Sequence, residues 1–206
     1  MPENELFSQR VVDLDGAGGN DACDEVLYVL EGSGRIEIGG EENDLRPGVA
    51  VFAARGVPWS ASGARAISVL VHDPEPASGH AVLDLAAAER GTATAGRQFV
   101  LGATPEVGCA SVTQFVGLVP PGRAPNHFHT YDEVITILEG EGFFHRGGEA
   151  EPLAPGSVVH LGAREVHCLE NTGETELRLL GVFRPAGSPA EAYYPDGTPA
   201  VQPEGS

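Results

Sequence analysis

Apolar residues along the chain fall into short β-prone runs set off by turn signals, at 25–30, 35–38, 49–53, 66–72, 112–118, 134–138, 157–161 and 176–183. Glu31-Gly-Ser-Gly34, Pro47-Gly48, Glu139-Gly-Glu-Gly142 and Pro155-Gly156 sit between such runs and read as hairpin turns. The pattern predicts an all-β chain, a barrel or a sandwich. One stretch, 84–90, offers a short helix with Asp84 as its cap, and an extended connection fits those residues equally well.

The runs occur twice. Asp24-Glu-Val-Leu-Tyr-Val-Leu-Glu-Gly-Ser-Gly34 lies over Asp132-Glu-Val-Ile-Thr-Ile-Leu-Glu-Gly-Glu-Gly142, and the same offset places Leu45, Pro47, Gly48 and Val51 on Leu153, Pro155, Gly156 and Val159. A period this long indicates a duplicated domain and not a solenoid. The expected organisation is a first copy over 1–76, a connection over 77–96, a second copy over 97–197 and a disordered tail over 198–206. Few residues precede Glu25, so strands are expected to be exchanged between the halves or between subunits.

Composition narrows the function. Gly 28 and Pro 16 suit short strands and tight turns. The formal net charge of -18 repels phosphate backbones and anionic headgroups, which argues against nucleic acid and membrane surfaces as partners. All 12 basic residues are arginine, so Schiff-base and P-loop chemistry have no lysine to use. Cys23, Cys109 and Cys168 are odd in number and widely spaced, which fits a reduced, cytoplasmic protein better than a disulfide framework. The first ten residues have no apolar core of a leader, and no run approaches the length of a membrane span.

Five of the 7 histidines lie between His127 and His167, inside the second copy. On a strand, His127 and His129 point the same way, and Glu133 keeps that parity if the strand continues through a bend. With His167, three imidazoles and a carboxylate suit a divalent first-row ion and leave coordination positions open. Burying these groups without an ion would be costly. Metal binding needs neutral imidazoles, so affinity is expected to fade as pH drops through about 6.5. His160, Tyr131 and Arg123 are secondary candidates for proton transfer or substrate orientation, each with a surface or structural role as the alternative. Ile135 and Ile137 share the parity of Glu133 and would floor a pocket, with Phe115, Phe143 and Phe144 as candidate walls.

These residues resemble the two motifs of the cupin superfamily. His127, His129, Glu133 and Gly140 stand in the places of the first motif, with Gly122 one residue closer to the pair than usual. Pro155, Gly156, His167 and Asn171 match the second, without its usual second proline. The resemblance covers about 110–185, and the repeat extends it to the first copy. It implies two cupin-type barrels in one chain, with metal motifs in the second alone: at the repeat offset Gly19, Asp21 and Trp59 face His127, His129 and His167, and only Glu25 matches its counterpart, Glu133.

The resemblance further implies one divalent transition metal per chain, iron, manganese, nickel or zinc. The net charge of such a centre favours a small, oxygen-rich anionic or aromatic substrate. A dioxygenase-like reaction is expected first. A redox-neutral isomerase, cyclase or decarboxylase and a non-catalytic binding protein are the alternatives. A small molecule is the expected partner, with a homodimer as the assembly to look for.

Overall fold

The alternating runs fold as strands, and in the computed structural model, which describes residues 5–200, the chain is all-β. Its strands are β1 (Phe7–Gly18), β2 (Asp24–Ile38), β3 (Glu41–Leu45), β4 (Val49–Ala53), β5 (Trp59–Val71), β6 (His80–Asp84), β7 (Arg90–Thr92), β8 (Gln98–Leu101), β9 (Thr113–Val119), β10 (Gly122–Arg123), β11 (Asp132–Glu139), β12 (Gly142–Arg146), β13 (Glu149–Leu153), β14 (Val158–Leu161), β15 (His167–Asn171) and β16 (Leu177–Arg184). Single 3-10 turns lie at Thr94–Gly96 and Pro105–Val107. Among the described residues no helix is long and apolar enough to cross a membrane.

The chain divides into two compact units. The first runs to Ala88 and takes in Leu101–Gln114; the second comprises Glu89–Val100 and the described residues from Phe115 onward. The first unit holds one antiparallel sheet in the order β1-β5-β2-β4-β6, with β3 on the far end of β2. Leu27, Val29, Ile36, Ile38, Leu45 and Val51 fill its core. In the second unit β10-β15-β12-β13 form one sheet and β14-β11-β16-β9-β8-β7 the main part of another. Ile135, Ile137, Phe144, Leu169, Leu177 and Phe183 are at its centre.

The glycines of the repeat have a steric reason. A Cβ on Gly34 would lie 1.6 Å from the Ser62 carbonyl oxygen, and one on Gly142 would lie 1.9 Å from that of Glu170. Both strands therefore approach a neighbouring backbone more closely than any side chain permits. The two Pro-Gly turns are pinned alike. Gly48 N–H donates to Val29 O at 3.0 Å, and Gly156 N–H donates to Ile137 O at 2.8 Å.

Several segments differ from their sequence reading. The 84–90 stretch is a turn and not a helix: Asp84 ends β6, its Oδ1 accepts from Ala86 N–H at 3.2 Å, and its backbone pairs with Val49. Pairing of β6 with β4 overrides the weak local preference. The expected connection over 77–96 contains β6, β7 and a 3-10 turn. Residues 101–114, expected in the second copy, group with the first unit, where Gln114 Nε2 donates to Leu27 O at 3.1 Å and Ser111 Oγ accepts from Glu75 N–H at 2.6 Å. Of the expected disordered tail, Thr198 and Ala200 are tied to Tyr194 and Ala192 by backbone hydrogen bonds of 2.8 Å; 201–206 lie outside the described residues.

Candidate metal centre

The loop before β11 and the start of β15 are joined by a backbone bridge, His127 N–H to His167 O at 2.9 Å and His167 N–H to His127 O at 2.8 Å. This bridge sets the two imidazoles 4.5 Å apart, centroid to centroid, and His129 lies 5.0 and 5.2 Å from them. One ring nitrogen from each falls within 4.8 Å of the others. Each Nδ1 meets a backbone carbonyl: His127 that of Pro125 at 2.9 Å, His129 that of Glu191 at 2.7 Å, His167 that of Glu165 at 2.9 Å. A carbonyl only accepts, so all three Nδ1 atoms carry the proton and all three Nε2 atoms keep a lone pair. Fixed tautomer and converging lone pairs are what a divalent transition ion requires of imidazole ligands.

Burial keeps the rings neutral. It brings His127 down to about 2 and His129 to about 3, with the Arg97 charge adding at His127 and the neighbouring His167 at His129, and it lowers His167 as well. The proton competition expected near pH 6.5 is thereby displaced far toward acid, because burial removes the water that would solvate an imidazolium.

Glu133 is fully enclosed at the start of β11, and burial raises its carboxyl to about 8 against the opposing pull of Arg97. It lines the same cavity as His129 and His167, yet its oxygens lie outside the 4.8 Å group formed by the three nitrogens. Tyr131 also lines the cavity, stacked 4.7 Å from His129 and 3.9 Å from Phe183. Arg97 was not anticipated. Its Nε donates to Thr94 O at 2.9 Å, and both terminal nitrogens reach within 3.5 Å of His127 Nε2. Its guanidinium lines a cavity of about 50 Å³, whose apolar walls include Phe99, Phe115, Ile135, Leu169 and Leu179. Nothing in the Thr92-Ala-Thr-Ala-Gly-Arg97 stretch carries a periodic or motif signal that could have singled it out.

The remaining candidates lie elsewhere. Arg123 is exposed on β10 with its Nε 3.3 Å from Cys168 Sγ, and His160 is half-buried on β14, its carbonyl accepting from Arg146; neither lines the cavity. Phe144 is buried and stacks 5.6 Å from His167, whereas Phe143 is exposed. Asn171 donates to Val119 O and Thr175 O and accepts from Gly173 N–H, which shapes the turn between β15 and β16. In the first copy Glu25 accepts from Trp59 Nε1 at 3.1 Å and from Ser68 Oγ at 2.5 Å.

Comparison with known proteins adds to this geometry. Residues 114–183 match the cupin domain family. The chain is 41% identical over 67 residues to an oxalate-binding protein of Thermotoga maritima, a match covering 32% of this chain and 55% of that one. It is 36% identical over 80 residues to an L-ectoine synthase of Mycolicibacterium gilvum, covering 37% and 60%. The chain thus spans little more than half the length of these curated relatives. Among solved structures, Bacillus subtilis oxalate decarboxylase, studied for its Mn(II) centres, superposes with a TM-score of 0.70 at 14% identity over 89% of this chain and 70% of that one, a likeness of fold. The matched segment, residues 114–183, carries the triad and makes up about a third of the chain, and over that stretch the sequence is similar to the cupin domain family.

Proposed function

We propose that the second unit is a cupin-type barrel holding one divalent transition metal and acting on a small oxygen-rich anion, and that the first unit is a second barrel of the same type without a metal. The observation that carries this reading is the convergence of three proton-free Nε2 atoms beside a buried guanidinium. His127, His129 and His167 would ligate the ion. Glu133, in the same cavity, would complete the set or take up a proton there. Manganese stands beside iron, nickel and zinc as the candidate ion, and it is the metal of the similarly folded oxalate decarboxylase. A bound divalent ion supplies Lewis acidity toward a bidentate oxygen ligand.

The chain's own residues define the rest. Arg97 offers a buried, charge-assisted donor to a carboxylate. Phe99, Phe115 and Leu179 give the space between them apolar walls. A cavity of about 50 Å³ suits a ligand the size of a short carboxylate. The relatives' names point to oxalate binding and L-ectoine synthesis, so we place a reaction without dioxygen ahead of the oxygenase suggested by the ligand set.

Protein loaded with manganese or iron should be titrated with oxalate, glyoxylate and short 2-oxo acids, then assayed with and without oxygen. Binding that requires the metal, with any turnover persisting under anaerobic conditions, is the expected result. Oxygen uptake matching substrate loss would restore the oxygenase. Equal anion binding with and without metal would end the proposal.

A further inference from the structure

The segment after β16 does something in the second unit that its counterpart does not do in the first. At the repeat offset, the first unit places His80–Asp84 in register beside β4. In the second unit the corresponding chain runs instead to the loop that carries the His-x-His pair. Phe128 and Tyr193 exchange backbone hydrogen bonds of 2.9 Å in both directions, and their rings stack at 5.5 Å. Glu191 Oε1 accepts from Thr130 Oγ1 at 2.9 Å and from the Tyr193 hydroxyl at 3.3 Å. Pro189 and Ala192 wall the cavity. The Glu191 carbonyl is the partner of His129 Nδ1.

We propose that residues 188–200 form a strap whose closure is coupled to metal binding, with Glu191 as a positioning residue that acts through its main-chain oxygen on His129. The proposal rests on the metal reading above. A ligand imidazole whose Nδ1–H is held by a fixed acceptor keeps its tautomer and orientation and is a stronger base at Nε2. Conversely, an ion on Nε2 polarises the ring and strengthens the Nδ1–H bond to the strap. Coupling of this kind is reciprocal: whatever the strap adds to metal affinity, the metal adds to strap closure. His127 and His167 take their Nδ1 acceptors from Pro125 and Glu165, each two residues away in sequence, so their orientation is set locally. His129 alone of the three depends on an acceptor 62 residues away, and the strap is what brings it there.

The test uses the full chain, stripped of metal and reloaded with cobalt(II), whose absorption reports binding directly. Hydrogen exchange is followed at the amides of Tyr193, Tyr194 and Ala200, which donate to Phe128, Thr198 and Ala192. Cobalt should slow these amides by about tenfold or more while the β1–β5 amides of the first unit stay unchanged. Tyr193→Ala removes the stack and the hydroxyl, and should weaken cobalt affinity by about 10-fold. Tyr193→Phe keeps the stack and should recover most of the loss. Bound cobalt that leaves strap exchange as fast as in the metal-stripped chain, or a Tyr193→Ala chain that retains parent affinity, would overturn the coupling and leave the metal reading standing. A parent chain that shows no cobalt absorption would overturn both.

Discussion

The two copies of the repeat share their skeleton and differ where chemistry would happen. Gly34 and Gly142 make the same close approach, and the Pro-Gly turns at 47–48 and 155–156 make the same hydrogen bond. At the carboxylate they part. Glu25 is satisfied by an indole N–H and a serine hydroxyl, whereas Glu133 shares a cavity with the imidazoles of His129 and His167 and the guanidinium of Arg97. The strands part too: β2 and β5 run 15 and 13 residues with bulges, while their counterparts break into β11/β12 and β15/β16 around Gly140 and Asn171. What the two copies share is what the backbone requires. The groups that aim the triad, the carbonyls of Pro125, Glu165 and Glu191, belong to residues that do not repeat, as does Arg97.

The largest effect that separates the copies is metal content. His129→Ala or His167→Ala should take bound metal from about one equivalent per chain to below about a tenth, since a two-imidazole remnant competes poorly with water. Glu25→Ala should leave it unchanged. Elemental analysis of the variants beside the parent decides this; two equivalents in the parent, or a Glu25 variant that loses metal, would mean that the first copy also holds an ion.

Next comes the anion. Arg97→Gln keeps a neutral donor in place of the buried cation and should weaken binding of oxalate or a related carboxylate to metal-loaded protein by about 10- to 100-fold. Metal content should stay at the parent level, because Arg97 is not a ligand. Calorimetric titration of both proteins gives the comparison. Equal affinities would detach Arg97 from recognition and leave the triad as the whole of the second copy's distinction.

Legibility in the sequence tracks what each residue depends on. Strands, repeat and triad were readable because alternation, glycine and histidine spacing are local. His127, His129 and His167 come together as their motif positions suggest. Arg97 and Glu191 were not readable, since an arginine in a Gly/Ala/Thr stretch and a carbonyl near the chain end gain their roles only from tertiary placement. The 84–90 stretch left a short helix and an extended connection equally open for the same reason: both options were local, and the partner that decides between them, β4, lies more than thirty residues earlier.

The shared skeleton can be probed by adding one methyl to each copy. Gly34→Ala and Gly142→Ala would each push a Cβ into a carbonyl that belongs to a paired strand and has nowhere to retreat. Each should lower stability by about 2–3 kcal/mol, or melting temperature by about 5–10 °C. Similar losses at the two sites would confirm that the glycines serve one structural purpose. A loss confined to Gly142 would tie the glycine to the histidine cluster of the second copy instead.

The smallest effect is a pH dependence belonging to the second copy's cavity, best measured on metal-stripped protein. The folded chain keeps His127 neutral down to about 2 and His129 down to about 3, whereas the unfolded chain takes up protons near the ordinary imidazole value of 6.5. Stability should therefore fall as pH drops below that value. Glu133 works in the opposite sense: the fold retains its proton up to about 8, whereas the unfolded chain releases it near 4.5, so its contribution declines as pH rises between the two. Where the windows overlap the imidazoles outnumber the carboxyl, which places the optimum near neutrality with a decline toward pH 8. Glu133→Gln removes that decline while keeping the side-chain shape. The parent should lose about 5 °C of melting temperature between roughly pH 6.5 and pH 8.5, and the variant distinctly less. An alkaline slope that survives in Glu133→Gln would show that the second copy's buried carboxyl is not its source.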